Sequence, residues 1–451
     1  MFTASPGAAK TNDTIAAIAT PPGAGGIAIL RLSGPDAAGI GSALFSRKLS
    51  ESHRFLYGHI AADGERVDEA MAVLMRAPRS YTREDVVELH CHGGDYACRR
   101  VLEAAIALGA RPAGPGEFTR RAFENGRIDL AQAEATMRLV GATGEASARA
   151  ALRQLDGAVS RGIQAARDKL TGMLAEIAAC TDFPDEIEEE PTAQKLLDDA
   201  EALFAELIAA CDARASRVLE QGLSIVICGK PNVGKSSLLN ALLKEPLAIV
   251  TAEAGTTRDA VRGTLRLAGI RAVLTDTAGL RDMAGEAETI GIERARSAIR
   301  GADLVLAVLD GSAPATDEDA ALLAETEEQA RLIVANKADL PAGGGAPGVA
   351  ADLAVSAKTG AGIDALLARL EAFARDTRAG DALLTQSRHI EAALRAAGSL
   401  TDMAESLAAG RPVDLAAIDA HAALRALSEI TGESAEESVI DAVFRTFCVG
   451  K

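Results

Sequence analysis

The spacing of apolar residues divides this chain into four stretches with different periods. Residues 13–122 carry short apolar runs bounded by turn residues, and 14–19, 26–32, 67–76 and 86–90 read as strands. Residues 96–108 have helical spacing and stop at Gly109, a suitable C′ position. The segment Pro115-Gly-Glu-Phe-Thr-Arg-Arg-Ala-Phe123 reads as a turn feeding a helix, with Thr119 as its candidate cap. From 128 to 218 the strand pattern disappears, and 128–140, 147–180 and 193–219 are Ala- and Leu-rich with charges at helical spacing. Strand and helix then alternate over 220–376, with strands at 223–228, 260–267, 270–275, 303–309, 331–335 and 352–355. Only Ala268 and Gly269 separate the second of these from the third, which allows a hairpin and no parallel crossover, so that pair is antiparallel. Residues 380–447 return to helix, at 386–405, 415–430 and 434–447.

Helical sequence thus flanks an α/β block on both sides. An amphipathic helix has to bury its apolar stripe, so the two flanks are expected to pack on each other as one domain interrupted by another. The expected fold is α/β and α multi-domain. It comprises an α+β N-terminal domain over 1–125, a discontinuous helical domain over 126–219 and 377–451, and an inserted α/β domain over 220–376 with a mixed six-stranded sheet.

Composition narrows the function. The chain has 451 residues, of which 48% are hydrophobic and 25% charged, as in ordinary globular proteins. No apolar run approaches the length of a membrane span, and residues 1–10 lack the apolar core of a secretory signal. The net charge of −17 argues against a general nucleic-acid binder, since such binding needs Lys and Arg to neutralise phosphate. Trp is absent and aromatics make up 3%, which argues against base-stacking platforms. The six cysteines form no C-x-x-C pair, so a reducing cytoplasm is the expected compartment.

The chemistry is concentrated in the α/β block. The apolar run 223–228 ends in Gly229-Lys-Pro-Asn-Val-Gly-Lys-Ser236, a G-x-x-x-x-G-K-[ST] loop between a strand and a helix. Asn232, Val233, Gly234, Lys235, Ser236 and Ser237 would wrap phosphate, because glycines admit close backbone approach and successive N–H groups face the anion. Lys235 can place its charge between the β- and γ-phosphates, and the Ser236 hydroxyl can ligate Mg²⁺. The loop Thr251-Ala252-Glu253-Ala254-Gly255-Thr256-Thr257 offers a Thr hydroxyl, taken as Thr257, to complete the Mg²⁺ shell. Asp276, Thr277, Ala278 and Gly279 end a strand, where Asp276 can support the metal shell and the Gly279 N–H can meet the γ-phosphate. Asn336, Lys337, Ala338 and Asp339 follow another strand. A carboxylate at 339 accepts from guanine N1–H and the exocyclic amine and repels adenine. Ser356, Ala357 and Lys358 follow a third strand and can present backbone N–H groups to guanine O6. In this order the motifs describe a Ras-like P-loop GTPase core. Leu280 stands where Ras-type proteins carry a water-orienting Gln, so water has to be oriented by another group.

Three other signals are read blandly. The Gly-rich loop after Thr20 leads into a strand and not a helix, so it lacks the context for a dinucleotide fingerprint. His90 and His92 share a strand face from which Cys91 points away, which disfavours a metal site with Cys98. The acidic run 182–190 reads as a solvated loop between helices.

Over nearly its whole length the chain resembles the tRNA modification GTPase family MnmE, also called TrmE. The resemblance is carried by Asp13-Thr-Ile15, Thr20-Pro-Pro-Gly23, Ile29-Leu-Arg-Leu-Ser-Gly34 and Glu84-Asp-Val-Val-Glu-Leu89. It continues in His92-Gly-Gly94, Pro115-Gly-Glu-Phe118, Leu130-Ala-Gln-Ala-Glu-Ala135 and Asp182-Phe-Pro-Asp-Glu186, and most specifically in Phe447-Cys-Val-Gly-Lys451. It implies an N-terminal domain that dimerises and binds a tetrahydrofolate derivative through Arg31, Glu88, Arg127 and Lys451. It implies a heterotetramer with an FAD-dependent partner, MnmG (GidA), and addition of a carboxymethylaminomethyl group to the wobble uridine of certain tRNAs. It further implies a potassium ion near Asn232, Thr251, Glu253 and Thr256 that takes the part of an arginine finger and draws two G domains together. Glu288 matches a carboxylate that orients water through a bridging water, and Lys235 and Cys448 match further catalytic positions. A Lys451 at the C-terminus has a structural meaning only if the tail docks, since free ends fray.

Overall fold

The computed structural model describes residues 13–21, 23–142, 144–245, 262–277, 288–341, 350–377 and 383–451. The chain forms two compact units. The first takes the residues up to Val140 together with Ala151–Glu206 and Ala392–Lys451, and the second takes Gly141–Ala150 and Leu207–Glu391.

The N-terminal part of the first unit contains β1 (Ile15–Ile18), β2 (Ile27–Ser33), α1 (Ala37–Leu44), β3 (Leu56–Ala62), β4 (Glu65–Met75) and β5 (Val86–His92). It continues with α2 (Asp95–Ala107), β6 (Arg111–Pro112) and α3 (Glu117–Glu124). The six strands lie in the order β3-β4-β5-β2-β1-β6. Alternation along β2 sends Ala28, Leu30 and Leu32 into a core with Leu89, Cys91 and Val101, which leaves Arg31 on the opposite face. The β2–β5 register sets Arg31 directly across from Glu88.

Two of these elements are hidden in the sequence. Helix α1 carries Gly39 and Gly41, which weaken its helical signal, yet a Cβ on Gly41 would meet Val87 at 2.7 Å. Strand β3 contains Gly58, where a Cβ would lie 2.7 Å from the Phe45 ring. Close packing selects glycine at both positions against local propensity. The candidate cap Thr119 is corrected: α3 starts earlier, at Glu117 after Gly116, so Thr119 lies inside the helix, where its hydroxyl pairs with Tyr81 Oη at 2.9 Å.

Next come α4 (Leu130–Val140), α5 (Glu145–Leu155), α6 (Ala158–Asp182), α7 (Glu189–Ala210) and α8 (Ala213–Gln221). The expected helix 147–180 is broken at Gly157, whose φ of +81° belongs to the left-handed region. The expected helix 193–219 is broken at Asp212, whose carboxylate accepts from the Ala215 N–H at 2.8 Å and so caps α8.

The second unit is built on β7 (Leu223–Cys228), α9 (Lys235–Leu243), β8 (Arg262–Leu267), β9 (Ile270–Asp276), α10 (Glu288–Arg300) and β10 (Leu304–Asp310). α11 (Asp317–Glu325), β11 (Arg331–Asn336), β12 (Leu353–Ala354) and α12 (Ile363–Asp376) complete it. Its six strands run β12-β11-β10-β7-β9-β8, parallel except for the antiparallel β8–β9 hairpin, as the two-residue connection requires. β7 and β10 are apolar almost throughout, as central strands covered on both faces should be.

The chain ends with α13 (Ser387–Ala408), α14 (Val413–Thr431) and α15 (Glu437–Arg445). α6 buries Val159, Ile163, Ala166, Leu170, Met173, Ile177 and Cys180, alternating steps of four and three. α14 buries Val413, Ala416, Ala420, Ala423, Leu427 and Ile430 in the same rhythm, and the two helices pack along each other. The alanines on α14 let the backbones approach closely. Residues more than two hundred positions apart thus form one helical pair, consistent with an interrupted helical domain. No described helix is long and apolar enough to cross a membrane.

Candidate functional site

Residues at the carboxyl ends of β7, β9, β10 and β11 converge in the second unit. After β7 the backbone adopts φ +63° at Asn232 and +94° at Gly234, so the loop curls before α9 begins at Lys235. Lys235 is buried, and its Nζ donates to the carbonyls of Gly229 and Lys230, each at 3.0 Å. A ring of backbone groups closed by an ammonium can exchange those carbonyls for phosphate oxygens. The Ser236 hydroxyl donates to Asp276 Oδ2 at 2.6 Å. That brings a hydroxyl and a buried carboxylate from two elements together, an oxygen set that fits Mg²⁺. Thr277 Oγ1 donates to the Ile227 carbonyl at 3.1 Å and ties the end of β9 to β7. Ser237 is exposed on the first turn of α9.

The base-side motifs lock onto the phosphate loop. Asn336 Nδ2 donates to the Val233 carbonyl at 2.8 Å, and Asn336 Oδ1 accepts from the Ala357 N–H at 3.0 Å. A Cβ on Gly234 would come within 2.4 Å of Asn336 Nδ2, so this bond requires glycine at 234. Ser356 Oγ donates to Asp339 Oδ1 at 2.6 Å. That bond holds the Asp339 carboxyl below its ordinary value while the side chain stays exposed, ready to accept from a ligand N–H. Ala338 donates its N–H to the Val355 carbonyl at 3.0 Å, and Lys358 lies exposed beside this loop. Lys337 reaches Asp310 Oδ2 at 2.7 Å. Burial alone would raise the Asp310 carboxyl, but the bonds from Lys337 and Ser312 outweigh it and hold the group ionised below its ordinary range.

Among the sequence-derived site residues, Thr251, Ala252, Glu253, Ala254, Gly255, Thr256, Thr257, Ala278 and Gly279 lie outside the described residues, as does Leu280. Glu288 opens α10, and its side chain also lies outside the description.

A second convergence lies on the outer face of the N-terminal sheet. Arg31 Nε and Glu88 Oε1 pair at 2.8 Å, Glu88 Oε2 meets His90 Nε2 at 3.2 Å, and Arg31 Nη1 donates to the Gly450 carbonyl at 3.2 Å. The Arg31 guanidinium lies 5.9 Å from the Tyr81 ring centre and 5.6 Å from that of Phe118. Arg127 stacks on the same Tyr81 ring at 4.7 Å and donates to the Tyr81 carbonyl at 3.2 Å. The C-terminal tail docks here. Gly116 N–H donates to the Cys448 carbonyl at 3.3 Å and Phe118 N–H to the Lys451 carbonyl at 3.2 Å. Gly450 has φ +96° and sits where a Cβ would lie 2.5 Å from the Ile18 carbonyl oxygen. Arg31, Glu88, Arg127 and the Lys451 end are therefore gathered around Tyr81 and Phe118. Cys448 is exposed and borders an open cavity of about 770 Å³ that Thr20, Gly25, Cys98 and Arg99 also line.

The sequence comparisons bear on both sites at once. The family model for the MnmE helical domain matches residues 130–448, and that for the GTP-binding protein TrmE N-terminus matches residues 14–127. The tRNA modification GTPase MnmE of Chloroflexus aurantiacus is 47% identical to this chain, over 98% of this chain and 100% of its own length. The chain belongs to the MnmE family of tRNA modification GTPases. The MnmE proteins of Geobacter metallireducens and Lactiplantibacillus plantarum are each 44% identical and each cover 97% of this chain, with 99% and 98% of their own lengths matched. Among solved structures, the G domain of the T. maritima FeoB iron transporter overlaps 34% of this chain and 98% of its own at 26% identity. Its TM-score of 0.24 is too low to bear on function.

In this MnmE-family chain, sequence reasoning missed Tyr81 and Asp310. Asp310 left a signal, an acidic residue closing the wholly apolar run Leu304 to Leu309. Tyr81 left none. Its partners Arg31, Arg127 and Thr119 are brought to it by strand register and helix placement alone.

Proposed function

We propose that this chain binds and hydrolyses GTP, and that it works in tRNA modification with an FAD-dependent partner of the MnmG (GidA) kind. Together they would add a carboxymethylaminomethyl group to the wobble uridine of certain tRNAs. The observation that carries the nucleotide part is the coupling of Asn336 to Val233 and Ala357, with Asp339 presented beside it. It joins a phosphate-binding loop to a carboxylate suited to guanine's donor edge. Lys235 would neutralise the β- and γ-phosphates. Ser236 and Asp276, with Thr257, would hold Mg²⁺, which supplies charge neutralisation between the phosphates when bound. Potassium near Asn232, Thr251, Glu253 and Thr256 is assigned on the family resemblance. So is water orientation by Glu288.

The domain reading pairs an N-terminal folate-binding and dimerising domain, 1–125, with a helical domain over 126–219 and 377–451 and a G domain over 220–376. The folate derivative would lie against Arg31, Glu88, Arg127 and Lys451. The gathering of these residues supports that reading: a carboxylate suits the donor edge of a pterin, and cations suit the glutamate end. Glu88 would exchange one of its partners, Arg31 or His90, for the ligand. Cys448, exposed next to the docked tail, is the catalytic candidate of this end. The assembly would be a homodimer within a heterotetramer in the cytoplasm, with tRNA held mainly by the partner, which suits a chain of net charge −17. The test is nucleoside analysis of tRNA from a strain lacking this protein. The wobble modification should disappear. Normal modification, with GTP-dependent sedimentation of the chain on ribosomes, would replace this reading with one of ribosome assembly.

A further inference from the structure

Among the described residues, the loop from Gly229 to Ser236 is tied to the rest of its unit through Asn336, through Asp276 and, apart from both, through Lys230. Its second half hangs on Asn336 through the Val233 carbonyl. Its first half begins at Gly229, which packs so closely on β10 that a Cβ would lie 2.4 Å from the Val308 carbonyl oxygen. The next side chain, Lys230, turns toward α11. Its Nζ lies 2.7 Å from Asp319 Oδ2 and 3.2 Å from Thr316 Oγ1. The Asp319 side chain is 3% exposed and that of Lys230 is 21% exposed. Asp319 Oδ2 also accepts from the Thr316 N–H and hydroxyl, each at 2.9 Å, in the capping box that starts α11. Asp319 Oδ1 is buried without a hydrogen-bond partner among the described residues. Burial alone would raise this carboxyl, but the bonds from Lys230 and Thr316 outweigh it, so the group stays ionised and needs a nearby cation.

We propose that the Lys230–Asp319 ion pair is a positioning brace for the phosphate loop, fixing the peptide whose carbonyl helps hold Lys235 before nucleotide arrives. The inference rests on the GTP reading above. Its physical content is preorganisation: Lys235 Nζ sits on the carbonyls of Gly229 and Lys230, so anchoring the Lys230 side chain to α11 restrains the atoms that aim the phosphate-binding lysine. Lys230 is a positioning residue and does not meet phosphate. A preformed loop favours GDP and GTP alike, so losing the brace weakens binding of both and changes the chemical step little.

The experiment measures release of a fluorescent GDP and steady-state GTP hydrolysis on the full chain. Lys230→Met and Asp319→Asn should each release GDP roughly tenfold faster, with KM for GTP raised by a similar factor and kcat within about twofold of the parent. The double variant should be no worse than either single one, since both remove the same contact. Lys230→Arg should restore slow release. Glu325→Gln is the control for general loosening of α11, because Glu325 ends that helix and pairs with Arg296 of α10 at 3.0 Å; it should release GDP at the parent rate. Parent-like release from Lys230→Met overturns the proposal. Equal acceleration by Glu325→Gln, additive effects in the double variant, or failure of Lys230→Arg to restore slow release also overturns it. If the parent chain itself binds no GDP, the GTP reading fails first and the brace falls with it.

Discussion

Replacing Asn336 by Ala should loosen the second unit and leave the first untouched. Asn336 is 2% exposed and makes two bonds that bridge the phosphate loop to the loop after β12. Alanine leaves the buried Val233 carbonyl and the part-buried Ala357 N–H without these bonds. An orphaned buried group costs about 1–3 kcal/mol, so the pair together costs about 2–6 kcal/mol, and water entering the small space recovers part of it. A net loss of about 2–4 kcal/mol corresponds to a fall of roughly 30- to 700-fold in the protection of amides that exchange through opening of this unit. Hydrogen exchange read by peptide mass resolves the effect by location. Peptides covering β7 and β11 should lose protection, while those covering β2 and β5 should not. Unchanged protection in β7 and β11 would refute the claim that Asn336 joins the two loops. Equal losses in β2 and β5 would show an effect spread over the whole chain and refute it equally.

Three further outcomes follow from the same geometry. Asp339→Asn should trade guanine for xanthine selectivity, because an amide can donate to xanthine's extra carbonyl where a carboxylate accepts from guanine's amine; competition between GDP and XDP on the variant measures it, and unchanged discrimination would remove Asp339 from the base contact. Asp13 and Glu117 are raised by burial but held below their ordinary values by hydrogen bonds from arginines, from both Arg111 and Arg121 at Asp13 and from Arg111 at Glu117. Their stabilising contribution is therefore complete above the unfolded values of 3.8 and 4.5 and is lost as pH falls through the lower folded values. Acid titration of first-unit unfolding should show a decline beginning below about pH 4.5, flattened in Arg111→Met, and an identical decline in that variant would contradict the assignment. Burial pushes the Cys91 and Cys228 thiols up to about 12, while Cys448 is exposed. Iodoacetamide at neutral pH should therefore label Cys448 first and leave the other two until the protein unfolds, as peptide mass mapping would show.

The phosphate-loop, Asp276, Asn336–Asp339 and Ser356–Lys358 motifs were legible because each is a short run at a strand end, where local order and spatial order coincide. That the two helical flanks pack on each other was legible for a similar reason, since α6 and α14 each carry a stripe of buried residues in steps of three and four, although which helices pair was not. What escaped reading depends on contacts between distant residues. α1 and β3 are disguised by glycines that exist to let Val87 and Phe45 approach. The breaks at Gly157 and Asp212 are single-residue backbone events inside otherwise continuous helical patterns. Arg31 and Glu88 match folate positions of the family, and an ion pair between them was the plainer alternative; the β2–β5 register sets them face to face. Lys230 occupies an x position of its loop and Asp319 lies in the first turn of α11, and no motif links the two. Their meeting is a property of the fold.

Hydrolysis of GTP by the purified chain is the property on which everything above depends. The direct measurement is phosphate release from GTP in magnesium, compared in potassium and sodium chloride at equal ionic strength. GTP turnover should be markedly faster in potassium. Absence of turnover in both salts, with no GDP retained on the protein, would contradict it.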